Sequence, residues 1–594
     1  MLLGKFYLHF FKLVFLSRSF LLCFLILFSF CKVETYNPAI PYSRAWWETT
    51  FLCFATGECN QSSVVVSNIP SGGLLETGFL VGTSESEVEV SIDGGAFLPA
   101  TGVATWSFPL PTGSSVWKHK SIHSIHARNV GSVFGVVLSV RKGFNRDING
   151  DGYPDLVVGS PSANSNTGEI SIFHNTPKIG IEAVSSGEAN TTISGTSASD
   201  YFGGSFQVGD INADGYADLV VGSEGYSTSA GRVYVFHSAG TTGITGSTSS
   251  ANTTITGPSV SSQFGHVVAL GDPDQNGFLD LAVGSPGYPS NTGTVYIYKS
   301  TVDGITDGAG GTSLGISNAF STITGLSSSN NNFGSGVVFG DFNGNGSSDL
   351  AVGGSLCDGQ RGTVWIFLSA GASGINVPNS LYSDAYTTIA GGYYFSRFGE
   401  SLASDDLNSD GFEDLAVGGT GFPSNGSGPT YAGKLSFFYG SISAITATDI
   451  SNGAFHVYSN LPAAEYVSSS ITFGNINGDA FPDLIFGAKG FNSNIGQAFI
   501  IYGPASGVTG FLITGTAVIP NIAGDPGQTS QFGTGAQTID LNLDGKSELI
   551  ISAPNYSGGG KVYIFNGSSS QISAIDVSAA SSTITGNAGF GGSF

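Results

Sequence analysis

The chain has 594 residues, of which 40% are hydrophobic and only 11% charged, with 88 Gly, 43 Phe and a single Met. This is a composition of short strands and tight turns, and it argues against long helices, which draw on Ala, Glu, Lys and Leu. A formal charge of -23 with only 20 Lys and Arg excludes a nucleic-acid partner, whose phosphates call for a concentrated basic surface, and the 12% aromatic content provides too much burial for a disordered acidic chain.

Residues 1–31 read as a signal or targeting segment, because Lys5, Lys12 and Arg18 precede an apolar run from Phe20 to Phe30 that is short for a bilayer-spanning helix. Export is therefore expected, with the mature chain secreted or held at the cell surface, and Cys31 at the end of the run is a candidate for a lipid anchor, the one link to a membrane. Residues 32–61 read as a linker, in which Cys53 and Cys59 are spaced for a small disulfide loop. Residues 62–130 alternate as "SEVEVSI", turn at Asp93-Gly94-Gly95 and resume as "VATWSF" and "SIHSIHAR"; this rhythm resembles a small Ig-like or fibronectin-like β-sandwich. His119, His123 and His126 in this stretch are expected on a solvated strand or turn rather than at a zinc site.

From 131 to 594 one pattern recurs at roughly 60 to 70 residues. Phe-Gly stands at Phe134-Gly135, Phe202-Gly203, Phe264-Gly265, Phe333-Gly334, Phe398-Gly399 and Phe532-Gly533, and the sixth unit reads Tyr466-Val467 there. An Asp/Asn-rich loop follows, then a strand such as "DLVVGSP" or "DLAVGGT", then an aromatic strand such as "GTVYIY" or "GKVYIF". Both runs have the β-branched and aromatic content of buried strands. Seven units of about four strands predict an all-β fold, a seven-bladed β-propeller. The closing segment "STITGNAGFGGSF" repeats the opening of a unit, so the C-terminus is expected to complete the blade begun at the N-terminal end.

The loops carry oxygen donors at positions 1, 3, 5 and 9. They are Asp147, Asn149, Asp151 and Asp155; Asp210, Asn212, Asp214 and Asp218; Asp272, Asp274, Asn276 and Asp280; and Asp341, Asn343, Asn345 and Asp349. The remaining three are Asp406, Asn408, Asp410 and Asp414; Asn475, Asn477, Asp479 and Asp483; and Asp540, Asn542, Asp544 and Glu548. Calcium takes six to eight oxygens, and alternate carboxylates and amides on a curled loop supply them. The backbone carbonyls at position 7, on Tyr153, Tyr216, Phe278, Phe412 and Lys546, add a donor, and a Gly at position 6 permits the positive φ of the reversal. An Asx-rich turn without metal is the plain alternative for one such loop; seven in register favour up to seven structural Ca2+ ions. The fourth and sixth loops, with two carboxylates each, are expected to be the weakest.

Phe-Gly, an acidic loop and then Gly159-Ser160-Pro161, Gly284-Ser285-Pro286 or Ser552-Ala553-Pro554 together resemble the FG-GAP repeats of integrin α-subunit propellers and related bacterial surface proteins. The resemblance implies a calcium-binding extracellular propeller that recognises a protein ligand as an adhesion module. A lectin-like, carbohydrate-binding propeller is the alternative, and a non-catalytic accessory domain of an enzyme system comes third. No enzyme activity is expected, since the carboxylates are committed to the loops and His174, His237, His266 and His456 are scattered across the units.

Overall fold

A computed structural model describes residues 63–594, apart from short interruptions of which the longest are 69–73, 112–121, 423–431, 460–464, 504–510 and 514–519. The targeting segment, the linker with Cys53 and Cys59, and His119 lie outside the described residues. Among those described, no helix is long and apolar enough to cross a membrane, and Cys357 is a buried free thiol.

The N-terminal module consists of two sheets. In one, Val65–Val66, Phe79–Thr83 and Thr105–Pro109 pair; in the other, Leu74–Leu75, Gly135–Lys142, Ile122–Asn129, Val88–Ile92 and Leu98–Pro99 follow in that order. Leu80, Trp106 and Phe108 of the first pack with Val90, Ile125 and Val140 of the second in one core. Period-2 alternation sets the faces: His123 and Ile125 are buried on the Ile122–Asn129 strand, whereas His126 lies on its other side. Gly135–Lys142 runs antiparallel to this strand, so the expected boundary at 130 cuts through a sheet and Gly135 opens no propeller blade; Phe134 lies outside the described residues.

Seven sheets of three to five strands follow among the described residues. The second is representative, with Ser205–Gly209, Asp218–Ser223, Arg232–Phe236 and Thr253–Thr256 antiparallel in sequence order. Its second strand is buried at every position, because each face of the sheet is covered by a neighbouring sheet; this is why "DLVVGS" is continuously apolar rather than alternating. Separate cores lie between successive sheets. Phe206 and Tyr234 meet Ile170, Val233 meets Val268, and so on to the seventh, where Ile550 and Ile564 meet Leu156 and Val158 of the first. Sheet seven thus packs on sheet one, and the arrangement is a closed β-propeller.

Phe-Gly is the joint between neighbours. Phe202, Phe264, Phe333, Phe398 and Phe532 are all buried and plug the gap between two sheets, each bridged to a Gly of the preceding sheet, as Gly231 to Phe264. The Gly that follows has positive φ, +87° at Gly265, and its carbonyl oxygen sits 2.1 Å from where a Cβ on Gly222 would stand, so the second strand carries Gly at that contact. In the sixth sheet Gly433 bridges to Val467 and Ser468 has φ +69°. The degenerate Phe-Gly pair is therefore Val467-Ser468, one residue later than the Tyr466-Val467 expected from sequence.

The ring closes in two pieces. Ser582–Gly586 is the last strand of the seventh sheet and bridges to the first unit through Thr585 N–H on Val184 O at 3.0 Å, and the final residues reach the first sheet itself: Gly591 N–H donates to Gly159 O at 2.9 Å, and Phe590 is fully buried between sheets seven and one. Phe590-Gly591 is thus the Phe-Gly pair of the first sheet. Phe590→Ala is expected to cost ~3–5 kcal/mol, read as a lower denaturant midpoint for the whole propeller.

Candidate metal centres

Six acidic loops join first and second strands and the first leads from the N-terminal module into the equivalent strand Leu156–Gly159, so, with strands alternating in direction, all seven emerge at one end of the propeller. They share one hydrogen-bond pattern. In the first, Asp147 accepts from the N–H groups of Asp151 at 3.1 Å and Gly152 at 2.8 Å, Asn149 Oδ1 accepts from Asp151, and Asp151 Oδ1 accepts from Tyr153 at 3.0 Å. Asp210 with Asn212 and Asp214, Asp406 with Asn408 and Asp410, and Asp540 with Asn542 and Asp544 repeat it. So do Asp272, Asp274 and Asn276 in the third loop and Asp341, Asn343 and Asn345 in the fourth. Asn475 in the sixth has only its Oδ1 to offer, which takes Gly478 and Asp479 N–H. Side chains at positions 1, 3 and 5 therefore point into the same turn.

Position 6 has the expected positive φ, +91° at Gly152 and +95° at Gly215. Position 4 is left-handed as well, at Ala213, Gln275, Ser409 and Leu543 near +56°; these residues carry no glycine signal, and the sequence left this second reversal unseen. Position 9 begins the second strand and is buried throughout, at Asp155, Asp218, Asp280, Asp349, Asp414, Asp483 and Glu548. One of its oxygens accepts from the N–H of position 2, as Ile148 to Asp155 at 2.8 Å, Ile211 to Asp218 at 3.0 Å and Leu407 to Asp414 at 3.0 Å. The other accepts a backbone N–H at the exit of the third strand, from Asn175, Ser238, Ser300, Ser369, Gly440 and Gly503 in the first six sheets. In the third loop position 2 is Pro273, which has no N–H, and in the fourth Phe342 N–H goes to Gly340 O. Asp280 Oδ2 and Asp349 Oδ2 are accordingly buried without a hydrogen-bond donor.

Burial raises these carboxyls, and neighbouring acids raise them further. Asp210 rises to about 7, with Asp218 and Asp214 adding repulsion; Asp540 reaches about 8 beside Glu548. Asp280 and Asp414 rise to about 8 and Asp349 and Asp483 to about 7, again chiefly from desolvation. Such a set of buried, mutually repelling oxygens, two of them without donors, suits a hard cation. Among the described residues no three His, Cys, Asp or Glu side chains are gathered to hold a metal ion by themselves, so an ion would also draw on Asn amide and backbone oxygens.

His174, His237 and Lys299 stand at one equivalent place, directly after the third strand of sheets one to three, so His174 and His237 are not scattered as expected. His174 Nδ1 lies 3.2 Å from Asp155, His237 Nδ1 3.0 Å from Asp218 and Lys299 Nζ 2.8 Å from Asp274. In the seventh loop Lys546 Nζ pairs with Asp544 at 2.8 Å.

The N-terminal module rests on this end. Thr77 Oγ1 donates to Asp147 Oδ2 at 2.8 Å, Asn68 Nδ2 to Gly152 O at 2.8 Å, and the Phe79 and Tyr216 rings are 5.1 Å apart. Buried Glu76 pairs with Arg146 at 3.3 Å and accepts from Asp540 N–H. Loops one, two and seven are thus partly covered, and sequence periodicity carried no trace of this contact.

The FG-GAP repeat model matches residues 145–173, 202–236, 264–298, 398–438 and 532–565. The chain is 31% identical to integrin alpha-5 of Xenopus laevis over 167 residues, 26% of this chain and 14% of the integrin. It is 27% identical to human phosphatidylinositol-glycan-specific phospholipase D over 391 residues, 60% of this chain and 45% of that protein. The matches therefore span less than half the length of these curated relatives. Among solved structures it is similar to the exotype rhamnogalacturonan lyase YesX at 11% identity and a TM-score of 0.36, covering 89% of this chain and 96% of that one, and to the Dos1 propeller at 9% and 0.35, covering 87% and 96%. Scores this low carry no information about a site or an activity. Each matched segment spans an acidic loop and the strands that follow it, so the chain carries FG-GAP repeats at these five places.

Proposed function

We propose that the chain is a secreted or surface-held, seven-bladed propeller that uses calcium to hold its acidic loops and presents its opposite face to an extracellular protein, as an adhesion or binding module rather than an enzyme. The observation that carries this reading is the seating of the N-terminal module on loops one, two and seven, which leaves the other end, built from the turns between second and third strands, for a partner. Kinship with integrin alpha-5 supports the protein ligand.

Positions 1, 3, 5 and 9 of each loop would hold the ion with the position-7 carbonyl, and the ion would supply the positive charge that lets buried carboxylates ionise. In the third loop the Lys299 ammonium on Asp274 competes for that role. The fourth and sixth loops, poorest in carboxylate, remain the weakest sites in this reading.

If each loop binds with a dissociation constant of ~0.1 mM, millimolar calcium stabilises the fold by about 1.4 kcal/mol per loop and about 10 kcal/mol in all. Chelator is therefore expected to lower the melting temperature by on the order of 10 °C for a domain of this size. Equal melting curves with and without chelator would exclude structural calcium.

The pH dependence follows in sign. Asp210, Asp280, Asp414 and Asp540 have folded pKa values of about 7 to 8, above the value near 4 of the unfolded chain. Their stabilisation of the metal-free fold is complete below about pH 4 and is lost as pH rises through 8. The melting temperature of chelated protein should fall from pH 5 to 8 while the calcium-loaded protein holds steady. Parallel curves would show that the ion does not sit on these carboxylates.

A further inference from the structure

The turn that leads from the last strand of one sheet to the Phe of the next occupies an equivalent place in successive units. It carries Ser197, Ala198 and Ser199 before Phe202, Ser259, Val260 and Ser261 before Phe264, and Gly527, Gln528 and Thr529 before Phe532. Before Phe398 the same three places hold Tyr393, Tyr394 and Phe395, which are 43%, 57% and 38% exposed. Phe395 has φ +65°, the same left-handed conformation as Ser199 at +66° and Ser261 at +63°. The left-handed place is a small serine in the second and third units, and before Phe398 one repeat spends an aromatic on a conformation bulky side chains avoid.

The turn is pinned. Ser396 is fully buried and its hydroxyl donates to Arg361 O, Tyr393 packs edge-on to Phe422 with ring centroids 4.8 Å apart, and the Arg361 guanidinium lies 4.0 Å over the Tyr394 ring. Arg361 is held in turn by exposed Asp358 at 2.9 Å. Two tyrosines on a fixed turn therefore adjoin a planar guanidinium–carboxylate pair, on the propeller end opposite the acidic loops.

Size selects the ligand. At ~200 Å² per aromatic side chain, the three exposures amount to about 280 Å² of ring surface, far below the ~800 Å² per partner of a standard protein interface. One or two pyranose rings match that area: their C–H faces, weakly positive, suit the negative faces of tyrosines, and their hydroxyls need donors and acceptors side by side, as Arg361 and Asp358 provide.

We propose that the Tyr393–Phe395 turn is a glycan-binding site, stacking a pyranose ring on Tyr394 and Tyr393 with its hydroxyls on the Asp358–Arg361 pair. It adds a sugar ligand to the protein-binding reading and does not depend on calcium at the opposite end.

The test applies the full chain to an array of immobilised neutral and uronic oligosaccharides, followed by calorimetric titration of the soluble oligosaccharide that is retained. Tyr393→Ser with Tyr394→Ser, which installs residue types close to those of the second repeat, is expected to weaken binding by ~10-fold or more with the melting temperature lowered by only a few degrees, and Asp358→Asn by a smaller factor. Retention of no saccharide, or equal retention by the double variant, would overturn the proposal. So would a concentration-dependent dimer that the double variant abolishes, which would mark the turn as a protein-docking surface. Because the melting temperature is read with and without chelator in the same series, loss of this site is distinguishable from failure of the calcium reading.

Discussion

The constraint on which the propeller depends is a buried carboxylate at the head of each second strand. In the first six sheets this acid ties three parts of a sheet together: it begins one strand, holds the loop through the N–H of position 2 or faces the loop where that donor is missing, and accepts from the backbone at the exit of the next strand, as Asp218 does from Ile211 and Ser238. Replacing it with an amide would keep the shape and leave a surplus donor against backbone N–H groups, a substitution that buried sites tolerate poorly. The same choice brings charge into a protein interior, so every loop must find a counter-charge or keep its proton. The three loops in which a His or Lys approaches and the seventh with Lys546 have part of one.

A ring of sheets adds a second requirement, because it is only as strong as its last joint. Six joints are made by a Phe-Gly or Val-Ser pair between adjacent units, where the loop closure is short. The seventh brings Phe590 to sheet one across the length of the propeller, and the entropic cost of such closure grows slowly with length. One buried aromatic ring, two backbone contacts to Gly159 and the core it shares with Leu156 and Ile564 are matched to that cost.

What the sequence revealed, and what it hid, divides along the same physical line. The all-β class, the repeat and the loops were legible because each is a local pattern repeated often enough to average out accident. Errors arose where a match was isolated. Phe134-Gly135 looks like the others, yet Gly135–Lys142 pairs with Ile122–Asn129, and nothing local distinguishes a Phe-Gly in one sheet from one in another. Tyr466-Val467 was misplaced by one residue because Val467 fills the Phe role with a smaller side chain and Ser468 takes φ +69° without being Gly. Left-handed Leu543 and Gln275 were invisible for the same reason. His174, His237 and Lys299 differ in type, so their shared position emerged only once the third strands were superposable in register.

The two ends of the propeller come to differ in kind through these choices. Every loop that enters the strand headed by position 9 is given to carboxylates, which demand neighbours: backbone donors, a cation, or the N-terminal module that sets Thr77, Asn68 and Glu76 against loops one, two and seven. The carboxylates of the second-to-third turns at the far end pair with side chains, Glu224 with His266 and Asp358 with Arg361, and cations there also lie against rings, Arg232 at 3.9 Å over Tyr226, Arg361 over Tyr394 and Lys561 at 4.9 Å over Tyr556. A charge buried among acids is used to hold the fold, whereas a cation spread on an exposed aromatic costs little to desolvate and remains free to meet a ligand. The repeat thus gathers its buried carboxylates at one end by strand direction alone, and it is at the opposite end that one unit departs from its siblings with three consecutive aromatic residues.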